Sequence, residues 1–323
     1  MNHEFRKGLL LCLIATVSWG IMFPVMAGAL KHVDPYTFTS LRFVPAALIF
    51  ALVLWWREGP KAFDPRGERV WLAWIMGSVG LVGFSFLVFL GQKLAGSDGS
   101  LIAATIAATM PLIGVGVSWL ARGVKPRPMS LLFIALSFVG VIVVISKGHP
   151  ANLLAAKDQL SADGLILIGA TCWVVYTIGA SYFPNWSPLR YTTATTVLGL
   201  ISVLVLNGLF LAGGLIALPS SADLVFVIPH IAYMTLGAGV IGILAWHQGN
   251  RIVTPANGVL FMNFVPIAAF AVSMLQGVTL APAQIIGALI TCGALVMNSL
   301  YAKSIGPAQD CLAADPAPKA RLH

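Results

Sequence analysis

Apolar residues run in long unbroken stretches along this chain, with short polar links between them. Ten stretches reach the length of about 20 mostly apolar residues that a bilayer crossing requires. They cover 9–30, 35–56, 71–90, 100–120, 129–145, 164–182, 191–213, 225–246, 255–275 and 281–301. A membrane barrel would show short segments alternating in polarity, whereas these runs are continuously apolar and predict helices. The first run follows Arg6 and Lys7, as a signal peptide would. It is too long for a cleaved apolar region and lacks a small-residue cleavage site, so it reads as the first membrane helix. The pattern therefore predicts an all-α polytopic membrane protein with ten transmembrane helices.

Composition agrees. Of the 323 residues, 58% are hydrophobic and 9% charged, against about 25% charged in an ordinary soluble domain. Such a chain cannot cover a water-facing surface with charge, which excludes a soluble enzyme, a secreted domain and a disordered polymer.

Charge placement then sets orientation. With the N-terminus inside, inner segments hold 14 of the Lys and Arg residues and outer segments hold four: Lys31, Lys93, Lys147 and Lys157. That asymmetry predicts both termini in the cytoplasm. The net charge of +8 is accordingly a topology signal, spread over many links as lipid anchors, and no nucleic-acid partner is expected. Of four cysteines, three lie in spans and Cys311 in the tail. Neither a disulfide framework nor a metal-type Cys/His spacing is expected, and no cofactor. The tail, 303–323, is rich in Ala and Pro and predicts disorder.

The two halves resemble each other at a spacing near 154 residues. ATVSWG around Trp19 matches GATCWV around Trp173; Pro111, Ser118, Leu120 and Gly140 match Pro266, Ser273, Leu275 and Gly293. Five spans per copy is an odd number, so consecutive copies face opposite ways. ARGVKPRP in the first copy carries three basic residues, whereas QGVTLAP in the second carries none, as opposite orientation predicts. The expected organisation is a cytoplasmic N-terminus (1–8), a first five-helix repeat (9–147), an outside connecting loop (148–162), a second repeat (163–302) and the tail. Inverted repeats are an architecture of alternating-access carriers, with substrate held between them near the midplane.

At this point the chain resembles the EamA-type branch of the drug/metabolite transporter superfamily. The residues that carry the resemblance are Trp19-Gly20 and Pro24 in the first span, Lys31 and Pro35 after it, and Leu41-Arg42 in the second. Pro111, Pro266 and LAWHQGNRIVTPANGVLFMNFVP from Leu244 to Pro266 complete it. It implies ten helices in two inverted repeats, with spans one to four and six to nine around a central path and spans five and ten outside it. It also implies small-metabolite substrates, commonly amino acids moved outward. One departure stands out: many such proteins place Glu after the Gly ending spans four and nine, where this chain has Gly123-Val124 and Gly277-Val278.

The candidate chemistry is sparse. All eleven acidic residues fall in links, span edges or tails. Proton- and sodium-coupled carriers usually hold a carboxylate at depth, so weak or absent ion coupling is expected. Arg42 is the one charge well inside a span, where it costs about 2.5–3.5 kcal/mol on insertion scales. It either attracts a substrate carboxylate or snorkels and donates to backbone carbonyls. Trp19 and Phe23 share a helix face, as do Trp173 and Tyr176, and the two tryptophans occupy equivalent positions. They are candidates for an aromatic-lined path, or for ordinary packing. Trp246 is a further path candidate that also fits the interfacial belt, to which Trp55, Trp56 and Trp71 belong. Thr109 and Asn263 stand near Pro111 and Pro266. They are candidates for the path or for interhelical hydrogen bonds, and the prolines for hinges. His247, near a span end, is a candidate gate and the runner-up coupling residue.

The leading expectation is a carrier exporting small metabolites, amino acids and aromatic ones among them, with no catalytic activity. A proton-coupled multidrug exporter of hydrophobic cations is the alternative within transport, disfavoured by the missing carboxylate. A membrane-embedded lipid-modifying enzyme or scramblase is the alternative of another class; neither HExxH, GxSxG nor a carboxylate pair supports an enzyme. Expected partners are a small-molecule substrate and the lipid bilayer, with the chain a monomer or a weak homodimer.

Overall fold

The computed structural model describes residues 3–123, 125–149, 157–253 and 258–304. Among these, the regular structure is helical throughout. The helices are α1 (His3–Ala29), α2 (Pro35–Glu58), α3 (Val70–Leu94), α4 (Gly99–Ala108), α5 (Met110–Arg122) and α6 (Pro128–Ser146). Next come α7 (Leu160–Tyr182), α8 (Pro188–Ala212), α9 (Ser221–Val253), α10 (Phe264–Leu275) and α11 (Pro282–Ser304).

Local chemistry explains several of the ends. Asp34 caps α2 by accepting from the backbone N–H groups of Tyr36 and Thr37, and Pro35 opens the helix. Ser187 and Ser220 cap α8 and α9 in the same way, accepting from the Arg190 and Asp223 N–H groups. Gly123, at φ 68°, closes α5 in the left-handed conformation.

Eight helices are long and apolar enough to cross a bilayer, nine if α4 and α5 count as one, where the sequence pattern predicts ten. The fourth predicted span is broken: α4 and α5 meet at 51° across Thr109. Pro111 lies in the first turn of α5, where its missing N–H costs nothing. The ninth is shorter than a span needs. A 3-10 turn over Val259–Asn263 leads into α10, whose third residue is Pro266, and residues 254–257 lie outside the described residues. The expected connecting loop 148–162 is also shorter than the sequence suggests. Helix begins at Lys157, three residues before the apolar stretch of α7 that starts at Leu160. Most of the tail, 305–323, lies outside the described residues.

Two segments wind as π-helix rather than α-helix: Val79–Phe86 inside α3 and Tyr233–Ile241 inside α9. They begin 154 residues apart, at the spacing of the sequence repeat. Such segments appear often at functional sites.

Packing relies on close backbone approach. A Cβ on Gly77 of α3 would run into the Thr195 carbonyl oxygen of α8, and one on Gly199 would lie 2.5 Å from the Gly77 carbonyl carbon. Gly140 of α6 and Gly287 of α11 meet likewise, with a Gly287 Cβ only 2.6 Å from the Gly140 oxygen. Large apolar side chains face outward over the whole bundle, among them Leu48, Leu52, Leu120, Leu275 and Leu289. Trp55, Trp56 and Trp71 are exposed near helix ends, as belt residues are. In water this surface would aggregate; it suits lipid.

Candidate functional site

A cavity of about 90 Å³ opens between the helices, with walls from α1–α5 and α7–α9 and from the segment holding Met262 and Val265. Among the described residues, α6 and α11 contribute nothing to it. It therefore lies where the family resemblance implies, with those two helices outside.

Five of the sequence candidates line it together: Trp19, Phe23, Arg42, Trp173 and Tyr176. Trp19 and Trp173, one from each half, share this one space. The Trp19 indole N–H donates to the Ala238 carbonyl at 3.0 Å, which seats the ring against the π segment of α9. Trp173 leans on Phe84 at 5.1 Å and on Tyr176 at 5.2 Å between ring centroids. Tyr176 continues to Tyr191 at 5.3 Å, so one wall is a connected aromatic stack. Contacts of this kind hold rings in fixed orientations. Phe23 is buried, and its carbonyl accepts from Gln92 Nε2.

Arg42 lies buried on α2. It does not snorkel: only 6% of the residue is exposed. Its Nη2 donates to Ser85 Oγ at 2.9 Å, and the guanidinium lies 4.3 Å from the Phe43 ring and 5.0 Å from that of Phe89. The Nε hydrogen has no acceptor among the described residues. The Arg42 carbonyl accepts from Thr235 Oγ1, tying α2 to the π segment of α9.

No carboxylate lines the cavity among the described residues. Asp163 is buried near the start of α7, at the span edge the sequence suggests, and lies outside the cavity wall.

The other candidates fall nearby but not on the wall. Trp246 is half-buried and backs Trp19, their ring centroids 5.3 Å apart. Thr109 spends its hydroxyl on the Ile106 carbonyl at the helix break, while its neighbour Met110 reaches the cavity. Asn263 donates to the Leu260 carbonyl, and Met262 beside it lines the wall. Pro111 and Pro266 sit in the first turns of α5 and α10, next to the breaks rather than in the lining. His247 is half-buried on α9, also off the wall.

Several lining residues escape sequence reasoning: Thr192 and Thr196, and the methionines Met22, Met110, Met234 and Met262. The run YTTATT from Tyr191 to Thr196 was a polar interruption in an apolar span, and it was the available signal. Four flexible methionines let the wall adapt to ligands of different shape.

The geometry thus offers an aromatic and thioether-lined space with one cation and a few hydroxyls. It can bind and orient a small amphipathic molecule; among the described residues its lining holds no nucleophile–base pair. Comparison with known proteins points the same way. The sequence model described as the EamA-like transporter family matches residues 6–146 and again 160–300. An uncharacterized transporter of Bacillus subtilis is 33% identical over 294 residues, 91% of each chain. A probable amino-acid metabolite efflux pump of Salmonella typhimurium is 25% identical over 302 residues, 91% of this chain and 95% of its own. A solved crystal structure with 18% identity superposes with a TM-score of 0.63 over 94% of this chain and 99% of its own, which supports the fold.

Proposed function

Because the chain belongs to the EamA-like transporter family, we propose that this multi-pass membrane protein is an alternating-access carrier. It exports small metabolites, amino acids and aromatic ones among them, with weak or no ion coupling. The observation that carries this reading is the cavity itself. Trp19 and Trp173 stand at equivalent places in the two halves and line one space, as expected where two repeats enclose a substrate. The family match falls twice on the chain, once per half.

The orientation we propose is two inverted five-helix repeats, 9–147 and 163–302, with both termini inside. The charge asymmetry of the links supports it. Each half carries a π segment followed by a proline in the first turn of a later helix, in the same order. Irregular backbone at membrane depth is tolerated where it borders a cavity, and both π segments do.

Ion coupling needs a site that binds the ion at depth. With no carboxylate among the described lining residues and Arg42 fixed on the wall, the carrier runs down its substrate gradient. The same arginine disfavours hydrophobic cations as substrates, which is why multidrug export is the weaker reading.

The test is uptake of radiolabelled amino acids into proteoliposomes, competed with amino acids and cationic dyes, with and without pH or Na⁺ gradients. Saturable, competable flux that ignores both gradients is expected. Strict gradient dependence would overturn the uncoupled reading, and competition by dyes alone would replace amino-acid export with multidrug export.

A further inference from the structure

We infer that the cavity selects a net-anionic amphipathic monocarboxylate over a zwitterion or cation of the same shape. The carboxylate sits on the Arg42 guanidinium, and the apolar body among the rings of Trp19, Phe84 and Trp173. This rests on the carrier reading above and, among its small-metabolite substrates, places a monocarboxylate anion ahead of the amino acids.

The argument starts from an incomplete ion site. Arg42 is only 6% exposed. Its described neighbours are a neutral hydroxyl on Ser85 and the faces of Phe43 and Phe89. None of them carries a negative charge, and Nε has no acceptor among the described residues. Arginine stays charged at neutral pH, and a buried cation without a counter-charge is costly. A carboxylate supplies that charge, and its two oxygens match the guanidinium fork in the strongest hydrogen-bonding geometry available to it.

The rest of the wall decides between anion and zwitterion. An amino acid would bring an ammonium group as well, and no described carboxylate lines the cavity to receive it. It would be left to ring faces, a weaker partner. A neutral 2-oxo or 2-hydroxy group needs only hydrogen-bond donors, and the hydroxyl-bearing residues Thr192 and Thr196 are among those lining the cavity.

Export follows from charge. A monovalent anion moved with no coupled ion carries one negative charge outward per cycle, whichever protein groups shift in between. An inside-negative membrane potential then drives the substrate out by itself.

Full-length protein in proteoliposomes tests this with three compounds sharing one benzyl body. Phenylpyruvate carries charge −1, phenylalanine is neutral overall, and phenethylamine carries +1. Vesicles are given an inside-negative potassium diffusion potential. Phenylpyruvate efflux is expected to saturate, with an apparent affinity about tenfold better than that of phenylalanine. A tenfold potassium gradient should concentrate it outside about tenfold at steady state and leave phenylalanine evenly distributed. Arg42→Gln should reduce the preference for the anion to about twofold or less. Should that variant fail to fold, Arg42→Lys carries the comparison: it keeps the charge, loses the fork, and should retain the response to potential with weaker affinity. Saturable phenylalanine flux of equal or better affinity would overturn the anion inference and leave the carrier reading intact. So would saturable phenylpyruvate flux indifferent to potential. No saturable flux of any of the three would overturn both.

Discussion

The π segments of α3 and α9 occupy corresponding places in the two halves, yet they are seated by different forces. Around the α3 segment, apart from the Ser85 hydroxyl that accepts from Arg42, the contacts are steric. Gly77, just before it, brings α3 backbone to backbone with α8 at Thr195 and Gly199, and a Cβ on Gly80 would lie 2.7 Å from the Tyr176 ring. Around the α9 segment the contacts are polar and come from side chains. Trp19 donates to the Ala238 carbonyl, Tyr233 donates to the Ser18 carbonyl, and Thr235 donates to the Arg42 carbonyl. A repeat can therefore preserve a backbone irregularity while exchanging the chemistry that holds it. A steric seat tolerates no added atom, whereas a hydrogen-bonded one can lose a partner and persist.

Three substitutions test that difference. Gly77→Val should be the most damaging, because the obstructing atom is backbone and cannot move aside. We expect a loss of about 3 kcal/mol or more, read as loss of monodisperse protein or a large drop in Tm in detergent. Trp19→Phe keeps an aromatic ring and leaves the Ala238 carbonyl without its donor. It should cost about 1–3 kcal/mol and weaken substrate affinity in the flux assay. Thr235→Val should cost the least, about 1 kcal/mol or below, since the Arg42 carbonyl also belongs to a helix; a Tm series checks it. If Thr235→Val proved as harmful as Gly77→Val, the contrast between the two seats would collapse.

The sequence carried much of this fold and part of the site. Apolar runs located the helices, because in lipid a spanning backbone has to satisfy its own hydrogen bonds. Trp19 with Phe23, and Trp173 with Tyr176, were legible from helical spacing and from their matching positions in the halves. Arg42 was legible because a charge in an apolar run is costly enough to require a reason. Its Ser85 partner was not, since a serine in a membrane helix commonly bonds its own turn, as Thr105 does with the Leu101 carbonyl. Thr109 and Asn263, candidates for the path or for interhelical bonds, lie off the cavity wall: the Thr109 hydroxyl and the Asn263 Nδ2 donate to carbonyls of their own turns, while Asn263 Oδ1 has no partner among the described residues. Proline marked those breaks to within a few residues. The π segments left no trace in hydropathy, because one extra residue per turn rotates a helix face without changing its composition; only the clustered glycines hinted at them.

The pairing of α6 with α11 bears on how such a bundle can move. Their backbones touch at Gly140 and Gly287, and the Thr291 hydroxyl reaches the Ser137 carbonyl across the seam. There is no slack for sliding in a joint that tight, and neither helix forms part of the chamber wall. The pair is suited to act as a fulcrum, a strut that stays put while the helices around the chamber swing about it.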